Sequence, residues 1–326
     1  MGDDRSNPMI FLVGCPRSGT TLLRDLLRSH SRLTFPPETR FIPSYYRAYG
    51  DPADDREAQR LARMILRFPW IRRWIPDLTP AAFASCRSYR GVVDQLFREW
   101  ATRERKPRWG DKTPGYVLEI PTLIEIFPDA RFLHLIRDGR DVALSFFKAP
   151  FGPINIYGAA EYWARFVSAG RRAAINLPSG SYMETTYEAL VTEPEPALRR
   201  ICEFIDEPFD LGMLSPKRLG GDGKGKIPPV SQDSIVTDQV ERWKHMMSPS
   251  DVALFESVGG DLLVELGYQA TRVSCSVGYA KRLYWRTEDR ASRSLNVLRN
   301  RKHFKDYALL RWGRIRQRLR SRGWIS

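Results

Sequence analysis

Residues 9–14, MIFLVG, form a short apolar run closed by glycine and proline, which predicts a buried strand. Directly after it, Leu22, Leu23, Leu26 and Leu27 recur at the spacing of one helical face, so residues 20–30 predict an amphipathic helix. The pattern then returns: Phe132–Ile136 predicts a second buried strand, Asp138-Gly139 a turn, and 140–148 a helix. Strand, loop and helix in this order predict an α/β fold, a P-loop-like parallel β-sheet flanked by helices. Residues 55–67, 80–105 and 116–127 also carry helical periodicity, with the aromatic, proline-marked FPWIRRWIPDLTP between the first two. PRWGDKTPGY reads as a loop around a short strand. Further helices are expected over 158–176 and 190–206, with a short strand near SYMETTY between them. The Gly-, Pro- and Lys-rich stretch 212–234 reads as a mobile loop, followed by helices over 236–247 and 250–266.

Length and charge divide this picture. A chain of 326 residues can bury one substantial core and still carry an appended tail. The net charge is +14, but the residues from Arg272 onward hold 16 Lys/Arg against 3 Asp/Glu, or +13. Charge therefore belongs to the tail, and the expected division is a domain over 1–271 and a basic helical tail over 272–326. Within the tail, Leu309, Trp312, Ile315 and Leu319 recur at helical spacing among arginines. Such a basic amphipathic helix either packs its apolar stripe on the domain, the preferred reading, or lies on an anionic membrane surface. Nucleic acid is not an expected partner.

No apolar run approaches the roughly 18 residues of a membrane span. The N-terminus is acidic and too short for a secretory leader, so a cytoplasmic protein is expected, with peripheral membrane contact as the exception. Cys15, Cys86, Cys202 and Cys275 form no C-x-x-C pair, which argues against structural zinc or a disulfide framework. Cys15 is expected to be a buried small residue, not a nucleophile.

The first loop carries the candidate chemistry. A phosphate-binding loop reads G-x-x-x-x-G-K-[ST], with backbone amides cradling phosphates and a lysine reaching the transferred group. In GCPRSGTTLL, Gly14 and Gly19 keep the spacing and Thr21 supplies the hydroxyl, but Thr20 stands in the lysine position. The nearby cation is Arg17, inside the loop. A nucleoside-triphosphatase also needs a strand-end aspartate for Mg²⁺, and here the second strand ends in Ile136-Arg137. Arginines with backbone amides suit an anionic nucleotide bound without metal.

At this point the sequence resembles a family. Pro16-Arg17-Ser18-Gly19-Thr20-Thr21 resembles the 5′-phosphosulfate loop of sulfotransferases that use 3′-phosphoadenosine 5′-phosphosulfate, PAPS. LIRDGRDVALS is similar to their 3′-phosphate segment, which implies that Arg137 and Ser145 grip that phosphate. PPETRFIP is similar to the ETR segment of tyrosylprotein sulfotransferases, whose glutamate is the catalytic base and maps onto Glu38. GDKTP resembles the family's lysine-bearing segment and maps onto Lys112. Tyr187 matches a tyrosine contacting the adenosine, and VTDQVERWKHMMSP resembles the segment closing over the nucleotide, with Arg242 as a phosphate contact. The resemblance spans roughly residues 9–268 and implies the sulfotransferase fold, PAPS as co-substrate, PAP as product and no metal. Cytosolic phenol and steroid sulfotransferases resemble it less, since they use a loop lysine and a histidine base. His30 and His134 both read as structural.

The resemblance implies in-line transfer to an acceptor hydroxyl. Glu38 would take the hydroxyl proton, while Arg17 and Lys112 would meet charge growing on the sulfuryl and bridging oxygens. Ser18, Gly19, Thr20 and Thr21 would hold the 5′-phosphate at a helix N-terminus. Each role has a plainer competitor, including a Glu38–Arg40 salt bridge that sets a turn and a Lys112–Asp111 surface pair. Two other functions stay open: a P-loop kinase with an aberrant motif, and a non-enzymatic nucleotide-binding module with a basic membrane- or nucleic-acid-binding tail. The acceptor class is a tyrosine, glycan, lipid or natural-product hydroxyl. Phe41, Tyr45, Tyr46, Tyr49, Phe68, Trp70 and Trp74 either line an apolar acceptor site or serve helix packing.

Overall fold

The computed structural model describes residues 8–215, 239–271 and 277–299, with side chains in the last segment described as far as 292. Five strands form one sheet: β1 (Ile10–Gly14), β2 (Leu33–Thr34), β3 (Arg108–Lys112), β4 (Arg131–Ile136) and β5 (Tyr182–Thr186). Their order is β2-β3-β1-β4-β5 and every pair is parallel. Register places Leu12 beside Lys112 on one side of β1 and Gly14 beside Leu135 on the other. The C-terminal ends of β3, β1 and β4 therefore stand side by side, where open α/β sheets bind their ligands.

A parallel sheet is buried on both faces, and its central strand β1 is accordingly free of polar side chains. Ile10 and Leu12 of β1 and Leu133 and Leu135 of β4 join one core cluster with Leu23, Leu26 and Leu27 of α1 (Thr20–Arg28). Phe11, Val13, Phe132 and Ile136, one residue out of phase, join the cluster on the opposite face. That larger layer contains α2 (Ile42–Tyr49), α3 (Asp55–Ile65), α4 (Pro69–Trp74), α5 (Tyr89–Glu104) and α6 (Ile120–Ile126). It also contains α7 (Gly139–Phe146) and α8 (Ile156–Ala174), and Trp243, Val252, Phe255 and Leu263 from farther along the chain. The chain continues through α9 (Tyr187–Thr192), α10 (Pro194–Phe204), α11 (Trp243–Met246), α12 (Pro249–Glu265) and α13 (Tyr279–Arg299).

The predicted strands and the helices after β1 and β4 are present. Several helices differ in extent. The expected 80–105 helix is a 3₁₀ turn at Pro80–Phe83 followed by α5, because Ser88 caps a fresh helix by accepting from Gly91 N. The expected 190–206 helix begins earlier and is broken at Glu193-Pro194 into α9 and α10. Residues 116–127 begin as a 3₁₀ turn, Pro114–Glu119, and become α-helical only at Ile120. The strand β2 and the helices α2 and α4 have no counterpart among the predicted elements. Of the expected 236–247 helix, only Trp243–Met246 is helical among the described residues. Most of the 212–234 loop and the Leu309–Leu319 stripe lie outside the described residues.

The aromatic stretch is a packing device. Phe41, Tyr45 and Phe68 are buried, with Phe41 stacked on Phe68 at 5.5 Å and Phe68 on Trp70 at 4.3 Å. Tyr46, Tyr49 and Trp74 are half-buried against the same core.

The first turns of the basic tail dock on the domain. Asp289 is buried and accepts from Ile154 N at 3.1 Å, while Asn155 donates to Trp285 O and to Glu288. Tyr157 stacks on Trp285 at 5.6 Å and Arg286 pairs with Glu161. This part of the tail is packed on the domain, whereas the apolar stripe farther along lies outside the described residues.

Candidate active site

The loop between β1 and α1 is shaped by close approach. At Gly14 a Cβ would meet Leu135 O at 2.5 Å, so the loop leaves the sheet flush against β4. Arg17 and Gly19 both adopt left-handed backbone, with φ of 76° and 95°. At Gly19 a Cβ would meet the Tyr187 ring at 2.4 Å. Gly19 is also the N-cap of α1 and provides no side-chain cap, so the first helical amides face the loop. Ser18 and Thr20 are buried within this cradle, Thr21 is exposed, and Ser18 Oγ has no hydrogen-bond partner among the described residues.

Arg137, at the end of β4, lies across from that loop. Its guanidinium donates to Arg17 O at 3.4 Å and to Gln239 O at 2.5 Å, and it stacks over the Tyr187 ring at 4.4 Å. Arg137 Nε is buried with no partner among the described residues. Trp163 of α8 donates to Arg137 O at 3.0 Å and fixes the strand end from below. Arg17 Nε donates to Ser145 Oγ on α7 at 3.0 Å. Partial burial and the like charge of Arg137 lower the Arg17 guanidinium from its ordinary value. Two arginines held against one another over a helix N-terminus make a site that favours an anion.

The 239–246 segment is anchored beside this cluster. Asp141 of α7 accepts from Trp243 N at 2.9 Å, and burial pushes its carboxyl up to about 6. Arg140 lies 3.5 Å over the Trp243 ring and is paired with Asp138 and Glu256. Arg242 donates to Gln239 Oε1 at 2.6 Å and so reaches Arg137 only through that residue.

A second group stands at the end of β3. Lys112 Nζ lies 2.9 Å from Glu38 Oε1, and Arg40 holds Glu38 Oε2 at 2.8 and 2.5 Å. Burial pushes the Glu38 carboxyl up, but Lys112 and Arg40 together outweigh it and hold the group below its ordinary range. The competing Lys112–Asp111 surface pair does not form. Lys112 is buried, and the Asp111 carboxylate accepts from Thr39 Oγ1 at 2.5 Å. Adjacent residues of a strand point to opposite sides, which separates the two.

Sequence-derived candidates thus fall into two neighbouring groups. Arg17, Ser145, Arg137 and Tyr187 meet directly around the glycine loop, with Arg242 linked through Gln239. Glu38 and Lys112 meet one strand away. Gln239, Asp141, Trp243, Thr39, Asp111 and Tyr116 support these groups and were not singled out from sequence. Gln239 acts through its backbone carbonyl, for which side-chain identity carries no signal.

His30 and His134 are structural. His134 is buried with its Nδ1 at 2.6 Å from Tyr182 OH, and burial pushes its ring down to about 3. His30 bonds Pro208 O and accepts from Arg32 N. Cys15 is buried and its thiol is pushed well up by burial, which fits packing and opposes nucleophilic use.

The sequence model of the sulfotransferase family matches residues 8–211. The chain belongs to the sulfotransferase family. The matched segment of this sulfotransferase contains every candidate site residue except Arg242. It is accordingly an enzyme of sulfuryl transfer. Protein-tyrosine sulfotransferase A of Caenorhabditis elegans is 27% identical over 278 residues, covering 82% of this chain and 69% of the relative. Nodulation protein NoeE of Sinorhizobium fredii is 25% identical over 289 residues, covering 80% and 66%. The sulfotransferase domain from the curacin biosynthetic pathway superimposes with a TM-score of 0.56 at 22% identity, covering 82% of this chain and all of that domain, and shares the fold. Among the described residues, no helix is long and apolar enough to cross a membrane.

Proposed function

We propose that the sulfuryl donor is PAPS, bound across the β1 and β4 strand ends, and that the acceptor is a hydroxyl group placed at Glu38. The carrying observation is the pairing of Arg17 and Arg137 around a glycine loop whose Ser18 Oγ is buried with no partner among the described residues. Such an arrangement fits a nucleotide with separated anionic groups. Ser18, Thr20 and Thr21 with the first amides of α1 would hold the 5′-phosphate, and Arg137 with Ser145 the 3′-phosphate. Arg242 would reach the same nucleotide from the 239–246 segment. The Tyr187 ring is buried against Gly19 with the Arg137 guanidinium over its face, and would border the adenosine end of the nucleotide from beneath Arg137.

When bound, PAPS supplies the sulfuryl group and a phosphate leaving group. Glu38, ionised beside Lys112, accepts the proton of the acceptor hydroxyl. Lys112 and Arg17 place fixed positive charge where oxygens gain negative charge, which stabilises the transition state more than the ground state. Arg40 orients the second Glu38 oxygen.

The test is transfer of labelled sulfate from PAPS into a panel of tyrosine peptides, glycans, lipids and small natural-product hydroxyls. Tyrosine is one candidate acceptor because of the C. elegans relative's name. Label in at least one hydroxyl acceptor is expected. No transfer to any member, together with tight binding of Mg²⁺-ATP, would overturn the reading.

We also propose that the tail contacts an anionic membrane. On α13, Tyr279, Leu283 and Tyr284 are exposed beside exposed Lys281, Arg282 and Arg286. Aromatic and basic side chains together suit a lipid headgroup layer. Co-sedimentation with phosphatidylserine vesicles, absent with neutral ones, is expected; equal recovery with both would exclude it.

A further inference from the structure

Glu38 sits on an irregular segment between β2 and α2, where no regular backbone bonding fixes a side chain to the sub-ångström level. Its neighbour Arg40 is in left-handed backbone, φ 60°, so the segment is held in a shape it would not choose alone. The residue between them, Thr39, is fully buried and points inward. Its Oγ1 donates to Asp111 Oδ2 at 2.5 Å and lies 2.8 Å from Tyr116 OH. Tyr116 OH in turn accepts from Ile42 N at 3.0 Å.

The donors resolve into a single direction. Each hydroxyl has one hydrogen to give. Asp111, when ionised, only accepts, so Thr39 must donate to it. Tyr116 must then donate to Thr39 and accept from the Ile42 amide. The chain runs from Ile42 N–H through Tyr116 and Thr39 to the Asp111 carboxylate, with every hydrogen used once.

This buried chain lies directly behind Glu38 and Lys112. Residues 38–39 and 111–112 are two consecutive pairs joined by two parallel bonds. Glu38–Lys112 faces the site, and Thr39–Asp111 faces the core. We propose that Thr39 and Asp111 are positioning residues for sulfuryl transfer, setting the placement of Glu38 against Lys112 through the buried bond. The inference rests on the reading of Glu38 as the base. Among the described residues, the Thr39 hydroxyl and the Glu38–Lys112 pair are the polar ties between the 38–40 segment and β3, and Glu38 is itself the proposed reacting group. Burial supports the same view, since Asp111 is held entirely away from water and its carboxyl is pushed up to about 6.

Three variants test this, with the best acceptor of the panel above and calorimetry of 3′,5′-ADP. Thr39→Val removes the hydroxyl at similar volume and is expected to lower kcat about 10- to 100-fold, the scale of a small misplacement of a reacting group. Its 3′,5′-ADP affinity should stay at the wild-type value, because the nucleotide cluster lies on other strands. Thr39→Ser restores the donor and should recover most of kcat. Wild-type kcat in Thr39→Val, or failure of Thr39→Ser to recover it, overturns the proposal. So does a loss of 3′,5′-ADP affinity in Thr39→Val equal to its loss of kcat, which marks general structural damage. Glu38→Gln separates the two ideas: if it keeps full transfer, the base assignment itself is lost.

Discussion

Glu38 and Lys112, 74 positions apart in the chain, meet at 2.9 Å at the C-terminal edge of the sheet. The pair makes the carboxylate a weaker base at rest than burial alone would leave it, because Lys112 and Arg40 oppose the desolvation. As the proposed base, Glu38 must be deprotonated to act, so activity is expected to fall as pH falls through its pKa. Lys112→Met removes the larger of the two opposing charges. The acid limb of the kcat/KM profile should therefore move to higher pH, with kcat lower by about 100-fold through lost charge stabilisation. An unmoved acid limb would show that Glu38 does not titrate in the reaction.

Gly19 is required twice over, by its φ of 95° and by the Tyr187 ring 2.4 Å from where a Cβ would stand. Gly19→Ala should destabilise the fold by about 1–3 kcal/mol, the scale of a strained left-handed residue. Displacing the ring also displaces Arg137 stacked on it, so 3′,5′-ADP binding should fall. Chemical denaturation with calorimetry measures both. Wild-type affinity in this variant would mean that Tyr187 takes no part in the cradle.

Arg137 joins the loop, the 239–246 segment and the Tyr187 ring through one planar guanidinium. Arg137→Lys keeps the charge but loses the fork and the stacking face. A loss of at least about ten-fold in 3′,5′-ADP affinity is expected, which corresponds to ~1.4 kcal/mol. Undiminished affinity would reduce Arg137 to a general positive charge.

His134 makes a prediction about stability. Its ring is pushed from 6.5 down to about 3 by burial. Between these values the unfolded chain binds a proton that the folded chain does not, so stability is lost as pH falls from about 6.5 toward 3. His134→Gln removes this contribution and should give a flatter dependence of unfolding free energy on pH in that window. Parallel curves for the two proteins would show that the ring is protonated in the fold.

Much of this architecture was legible because it is local. β1 with its glycine loop and α1, and β4 with its turn and α7, each announce themselves within about fifteen residues of pattern. Arg137 at a strand end and Arg17 within a loop were readable on the same grounds. What was not legible depends on distant partners. β2 has only Leu33 and Thr34, too few for any periodicity. α2 and α4 are formed by aromatic residues packed on one another, and helix periodicity is weak in segments of eight and six residues. The break at Glu193-Pro194 uses proline at a helix start, where it is tolerated, instead of inside one helix. A Lys112–Asp111 pair was the plainer alternative because the two are neighbours, yet strand alternation sends one toward Glu38 and the other toward Thr39.

The central claim is that the β1 and β4 strand ends form a cradle for a 3′-phosphoadenosine sulfuryl donor. Titration calorimetry of the full chain against 3′,5′-ADP, with and without a chelator, and against ATP with Mg²⁺, tests it most directly. One tight site for 3′,5′-ADP that is unchanged by chelation is expected, with much weaker binding of Mg²⁺-ATP. Tight Mg²⁺-ATP binding with no heat from 3′,5′-ADP would contradict it.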